Sequence, residues 1–566
     1  MAKICISLLA FTLFLPRVFA TVNEYPTAEI LKVSGLNISD NNVAVVFTET
    51  DPLSIIPQPV SLIKKEGFFT LNNTCGIELP EDAEWRKAVK TFQNKVRLAA
   101  GFDLSINVKN KKQYITIKRD LKISNAEGYV IEVTKKKVEI SASDAKGVFY
   151  AMQTLLQLLP EGIESRRKVD QSWPIACCVI KDEPRYPWRG MHLDVGRHFF
   201  SVEHVKRYID LMSIYKFNRF HWHLTEDQGW RIEIQRYPKL TDIGAYRNGT
   251  IIGKQKAGEE HYDGQRYGGY YTQEEVREVV QYAADRFVTV VPEIEMPGHS
   301  LAALAAYPEL SCDEGPFETA TKWGTFRPVF CPKEETFQFI ENVLTEVIAL
   351  FPGEYIHIGG DEVIKESWEE SEFCQNLMKK EKLENEMELQ SYFISRIDGF
   401  LQRKNKKMIG WDEILEGGLS PNAIVMSWRG DHGGIEAAKM KHEVIMSPES
   451  YCYFNFYQVA DKAKEPLAFD GLITVRKIYG YDPTPEELLP EQTKYVIGAQ
   501  ANLWTEYISN IDQLEYQAYP RALALAEVVW SPQDQRVWKE FKPRLKEQLK
   551  RLDVLGVNYA KHLLNN

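Results

Sequence analysis

Two carboxylates stand side by side in Tyr355-Ile356-His357-Ile358-Gly359-Gly360-Asp361-Glu362-Val363, directly after a short apolar run. Adjacent carboxylates resist ionising together, so one of the pair tends to keep its proton. A protonated acid beside an ionised one is the equipment for acid-assisted cleavage of a glycosidic bond. On a regular strand Asp361 and Glu362 would point to opposite faces. Gly359 and Gly360 permit a backbone bend that turns both acids into one cavity. A solvated Asp-Glu pair on a loop is the commoner meaning of such a dipeptide; the apolar strand leading into this one sets it apart.

Those acids need a scaffold. From residue 188 the pattern alternates between strand and helix. It predicts strands over 188–195, 217–224, 288–295, 355–361, 407–413, 423–428, 443–447 and 496–504. Helical periodicity falls over 202–215, 273–286, 334–350 and 388–403, with a final helix over 515–530 and an apolar-striped tail. Eight strands in this alternation predict an α/β fold, a (β/α)8 TIM barrel. Functional residues of such a barrel lie where strands end, on its C-terminal face. Arg197 follows the first strand, Asp227 the second and His299 the third. Asp361 and Glu362 end the fourth, Trp411 the fifth and Trp428 the sixth. Tyr453 follows the seventh, and Trp504 and Glu506 end the eighth. A single strand-end Trp is core more often than ligand; the joint placement of these residues is what implies a site.

Ahead of the barrel, residues 52–184 read as a small α+β domain. It has strands over 113–119, 128–133 and 137–142 and a helix over 145–159. The barrel domain with its helical tail takes residues 185–566. Lys3, the apolar run to Leu15 and Val18-Phe19-Ala20 read as a signal peptide over 1–20, too short to span a membrane. A polar extension fills 21–51. The expected destination is the periplasm or cell exterior, or an endomembrane lumen in a eukaryote.

The 566 residues are 44% hydrophobic and 26% charged, which is globular composition. A net charge of −10 argues against nucleic acid or an anionic membrane as partner. Seven cysteines remain after the signal, an odd and sparse set that is no disulfide framework; Cys312 and Cys331 flank a loop and are the pair that an oxidising compartment could bridge. With no Cys-x-x-Cys or His-Glu-x-x-His spacing, neither a metal nor a cofactor is expected.

His357-Ile358-Gly359-Gly360-Asp361-Glu362-Val363 resembles the signature of glycoside hydrolase family 20, the β-N-acetylhexosaminidases, and further matches run over roughly residues 50–545. The resemblance implies substrate-assisted hydrolysis of terminal β-linked GlcNAc or GalNAc, an exception to the two-carboxylate scheme. Glu362 would be the acid and base. Asp361 would orient the 2-acetamido group, and Tyr453 would donate to its oxygen. Arg197 resembles the family's ligand for the C3 and C4 hydroxyls, and Glu506 that for C4 and C6. Trp411, Trp428 and Trp504 resemble its aromatic walls. Asp227 and His299 resemble the groups behind the acid, a network expected to hold a proton on Glu362. Asn455 departs from the Asp that many members carry, which bears on an outer contact rather than on the reaction class. The other readings are a disaccharide-releasing or endo enzyme of the same mechanism, separable by product size, and a non-catalytic glycan-binding barrel. The last predicts loss of Asp361, Glu362 or Tyr453, and all three are present.

Overall fold

The computed structural model describes residues 53–109 and 111–562. The predicted signal segment 1–20 and the extension 21–51 lie outside the described residues.

Eight parallel strands close into a barrel in the order Trp188–Asp194, Arg219–His223, Thr289–Glu293, Tyr355–His357, Lys407–Trp411, Ile424–Ser427, Val444–Met446 and Val496–Ala501. Every residue of the first strand is buried, as expected of strands covered on both faces. Helices Val202–Ile214, Gln273–Ala284, Glu334–Leu350 and Glu386–Arg403 lie close to their predicted positions. Ser201 caps the first, and Thr272 with Glu275 forms a capping box on the second.

Two expectations need correction. The strand predicted over 355–361 stops at His357, because the chain then leaves the ladder in left-handed conformations. The final helix predicted over 515–530 is two helices, Ile511–Ala518 and Arg521–Trp530. Pro520 lacks the N–H that a continuous helix needs and disfavours helical backbone at Tyr519.

Residues 61–182 build a seven-stranded sheet with helices Ala83–Ala100 and Ala145–Leu158. The predicted strands Gln113–Arg119, Tyr129–Val133 and Val138–Ala142 are all present. The last two form a hairpin, and Gln113–Arg119 pairs in parallel with Val138–Ala142. The sheet meets the barrel through buried polar groups. Asp182 accepts from Lys216 Nζ at 2.9 Å and from Trp530 Nε1 at 2.9 Å, while Arg189 pairs with Glu127 at 2.7 Å. Among the described residues no helix is long and apolar enough to cross a membrane.

Candidate active site

The bend predicted at the acid pair is present. Gly359 and Gly360 have φ of 69° and 90°, and Glu362 itself has φ of 47°. Left-handed backbone is costly for a residue with a Cβ and recurs at functional sites. The turn is tied by Gln390 Nε2 donating to the Gly360 carbonyl at 2.8 Å and by the Trp411 N–H donating to Gly359 at 2.9 Å. A Cβ on Gly359 would sit 1.6 Å from Glu295 Oε2. Gly359→Ala is therefore expected to cost at least about 1–3 kcal/mol and to lower turnover, since the acid pair follows the displaced turn. Denaturant unfolding and kcat check this; wild-type values for both would show that the turn accepts a side chain.

Asp361 and Glu362 open into a cavity of about 210 Å³ at the C-terminal mouth of the barrel. Arg197, His299, Trp428, Tyr453, Asn455, Trp504 and Glu506 also line it. Trp428 stacks on Tyr453 with centroids 6.1 Å apart and planes 15° apart, and Trp504 lies 6.2 Å from Tyr453. Tyr453 is fixed by its bridge to Asn502, where the Phe454 N–H donates at 2.8 Å. Arg197 lies over Trp504, its guanidinium carbon 5.1 Å from the ring. Asp361 Oδ1, Asn455 Oδ1, Trp504 Nε1, Glu506 Oε2 and Arg197 Nε are buried without a hydrogen-bond partner among the described residues. Buried polar atoms are normally paired, so this concentration marks a wall built for a polar, hydroxyl-rich ligand.

Behind the acids lies the network predicted from Asp227 and His299. His299 Nδ1 donates to Glu226 at 2.8 Å and to Asp227 at 3.0 Å, and its Nε2 faces Glu362 at 3.4 Å and Asp361 at 3.8 Å. Burial opposes charge on His299, but Glu226 and Asp227 outweigh it and hold the ring protonated well above its ordinary range. The two acids are shifted in opposite directions. Burial raises Asp361 to about 7, against the pull of His299. The His299 hydrogen bond lowers Glu362, whose side chain is 43% exposed. These directions run against the expectation that the network holds a proton on Glu362. Burial likewise raises Glu506 to about 7 against Arg197.

Trp411 is the other departure. Predicted as a wall, it is 1% exposed and absent from the cavity lining. Its indole N–H is spent on Glu293 at 2.8 Å, and its ring lies 5.8 Å from Trp504, beneath the wall that Trp504 forms.

Several residues of the site were missed. Glu226 pairs with Arg197 at 3.1 Å, yet beside Asp227 nothing in the sequence says which acid does so. Glu413 accepts from Trp428 Nε1 at 2.9 Å and orients that wall; its place two residues after Trp411 was the available signal. Glu449, Phe456 and Phe469 complete the lining. Phe469 comes from the short pairing of Phe456–Tyr457 with Phe469–Leu472, which carries no periodic pattern.

Glu226, Asp227 and His299 lie together, as do His223, Glu226 and Glu295, and both sets have metal-ligand types. Within them His299 Nδ1 lies 2.8 Å from Glu226 and 3.0 Å from Asp227, and His223 Nε2 lies 3.1 Å from Glu226.

A closed parallel barrel whose mouth carries an acid pair, an arginine and aromatic walls has the layout of a barrel glycosidase. Residues 186–533 match the model for glycosyl hydrolase family 20, catalytic domain, and residues 52–183 that for glycosyl hydrolase family 20, domain 2. The chain belongs to glycosyl hydrolase family 20. It is 46% identical over 513 residues to a beta-hexosaminidase of Porphyromonas gingivalis, covering 90% of this chain and 64% of that protein's length. Among solved structures, the GH20 beta-N-acetylhexosaminidase of Streptomyces coelicolor superposes with a TM-score of 0.77 at 32% identity, covering 91% of this chain and 99% of the other. The GH20 exo beta-N-acetylglucosaminidase of Vibrio harveyi, in complex with N-acetylglucosamine, gives a TM-score of 0.78 at 32% identity, covering 91% and 80%.

Proposed function

We propose that the chain is an exo-acting, retaining β-N-acetylhexosaminidase that releases terminal non-reducing β-linked GlcNAc or GalNAc by substrate-assisted catalysis. The observation that carries this reading is the pocket itself. Asp361, Glu362, Tyr453, Trp504, Arg197 and Glu506 line one cavity at the barrel mouth, with Arg197 over the Trp504 ring. The beta-hexosaminidase relatives and the GlcNAc-bound Vibrio structure support the substrate class.

The roles follow from the chemistry of each group. Arg197 and Glu506 take hydroxyls at the non-reducing edge, and Trp428 and Trp504 pack on apolar C–H faces. Tyr453, kept protonated by burial far above its ordinary range, donates to the acetamido oxygen. Asp361 accepts from the acetamido N–H. That contact favours its ionised form, while a sugar over Glu362 removes solvent and favours the protonated acid. Substrate thus favours charge on Asp361 and the proton on Glu362, the order the reaction needs. The acetamido oxygen then attacks C1, Glu362 protonates the departing oxygen, and Asp361 stabilises positive charge on the oxazolinium nitrogen. In the second half Glu362 takes a proton from water, which attacks C1 and restores the β configuration.

Export to the periplasm or cell exterior is part of the proposal. The charged-then-apolar N-terminal sequence supports it, as does the Cys312–Cys331 disulfide.

The test is product analysis on β-linked oligosaccharides. Monosaccharide should appear first, and blocking C4 of the terminal sugar should stop release. Arg197→Lys should lower kcat/KM by about 10²-fold or more, because an ammonium cannot present the planar fork. Cleavage of internal bonds, or an Arg197→Lys variant close to wild type, would overturn the closed-end assignment and favour the endo reading.

A further inference from the structure

The upper interior of this barrel is polar where such barrels are usually filled by branched apolar side chains. Asp194, His223, Glu293 and His357 are register partners on four adjacent strands, so acid and imidazole alternate across one layer. Glu293 is fully buried and does not line the cavity. Its Oε2 lies 2.5 Å from His223 Nδ1 and 3.0 Å from His221 Nε2. Its Oε1 accepts from Trp411 Nε1 at 2.8 Å and lies 2.8 Å from His357 Nδ1. One carboxylate thus ties together the second, third, fourth and fifth strands just below the cavity.

The contacts continue upward. His223 Nε2 donates to Glu226 Oε2 at 3.1 Å, Glu226 Oε1 accepts from His299 Nδ1 at 2.8 Å, and His299 Nε2 faces Glu362 Oε2 at 3.4 Å. We propose that Glu293 is a positioning residue for the reaction, the buried origin of an alternating row Glu293–His223–Glu226–His299–Glu362 that fixes the proton inventory behind the acid. The proposal rests on the reading of Glu362 as proton donor given above.

The alternation is self-consistent. Burial opposes ionisation of Glu293, but the histidines around it win and hold it well below the usual carboxylate range. Burial also opposes charge on His223, yet Glu293 and Glu226 raise it to about 10. Glu226 is driven down despite its burial by Arg197, His299 and His223. The remaining neighbours do not supply the same hold. Glu295, 3.8 Å from His223 Nδ1, is pushed towards its neutral form by burial and by Asp361. His192, with its ring 5.6 Å from that of His223, is driven neutral by burial. His221 falls to about 4, and Gln500 Nε2 donates to its Nδ1 at 2.9 Å, leaving Nε2–H for Glu293. Asp194 contributes only at longer range. Around Glu362 the charged groups are His299, Arg197, Glu226 and Asp361.

Removing the anion at the origin makes each proton of the row easier to lose. Glu293→Gln should therefore move the basic limb of the kcat profile down by about one pH unit, with kcat about tenfold lower at pH 8 and within about threefold of wild type at pH 5. KM should stay within about threefold throughout, since Glu293 touches no substrate. Glu293→Asp, which keeps the charge, should restore the position of the limb even if kcat is reduced. A loss by the same factor at every pH, or a limb that Asp does not restore, would mean that Glu293 only packs. Neutron diffraction on the wild-type protein near pH 7 gives a second readout that needs no variant. Deuterium is expected on both ring nitrogens of His223 and His299; a single deuterium on either ring overturns the alternation. The acetamido requirement of the wild type is measured on the same preparation. Its absence would remove the proposed function, while the charge states of the row would still be read directly.

Discussion

Replacing the 2-acetamido group of the substrate by hydroxyl is expected to lower kcat/KM by about 10⁵-fold or more. A nucleophile held within the same molecule is worth effective molarities of about 10⁵–10⁸ M, and a glucoside has none to offer. In the proposed reaction Asp361 is kept for the acetamido nitrogen, and it is buried beside His299 with a pKa raised to about 7. A thiazoline that mimics the bicyclic intermediate should bind at least about 10²-fold more tightly than substrate, if the proposed mechanism makes the pocket complementary to the cyclised form. Comparable kcat/KM for a glucoside and an N-acetylglucosaminide would exclude substrate assistance and turn attention to a carboxylate nucleophile.

The barrel was legible because its strands are buried on both faces. Such strands read as apolar runs, and the helices between them carry clear stripes, so all eight strands and four of the helices fell near their predicted places. Strand ends were less legible. A ladder stops where backbone dihedrals leave the extended region, and the composition of Ile358-Gly359-Gly360-Asp361 does not say that it stops at His357. The smaller domain was read in part. Its long edge strand Ser61–Leu71 mixes exposed and buried positions around an irregular register and shows no regular alternation.

Within the candidate site, residue types at strand ends identified Arg197, Asp361, Glu362, Tyr453, Trp504 and Glu506, and all of these meet at one cavity. What the sequence could not give was depth. Trp411 and Trp428 both end strands, yet one lies under the floor and the other in the wall. Glu293 ends its strand and Glu295 follows two residues later, yet the histidines around Glu293 hold it low while burial and Asp361 push Glu295 up. The opposite shifts of Asp361 and Glu362 depend in the same way on burial and on His299, and neither is visible in the dipeptide itself.

The two central carboxylates can be told apart by what leaves. Glu362→Gln is expected to slow formation of the cyclic intermediate by about 10²–10⁴ on a disaccharide, whose alkoxide cannot depart without a proton. On an activated aryl glycoside the same variant should lose less than about tenfold, because a phenolate departs with little help. Asp361→Asn should behave differently. It removes the charge that stabilises the developing cation on the acetamido nitrogen, and that group is identical in both substrates, so the loss should be similar on each. The geometry supports the division: Glu362 is the more exposed of the two, at 43% of its side chain against 12% for Asp361. Aryl release must be followed before the steady state, because Glu362 serves again as base in the water step and overall turnover would mix the two. Equal losses for Glu362→Gln on both substrates, together with a leaving-group-dependent loss for Asp361→Asn, would reverse the two roles.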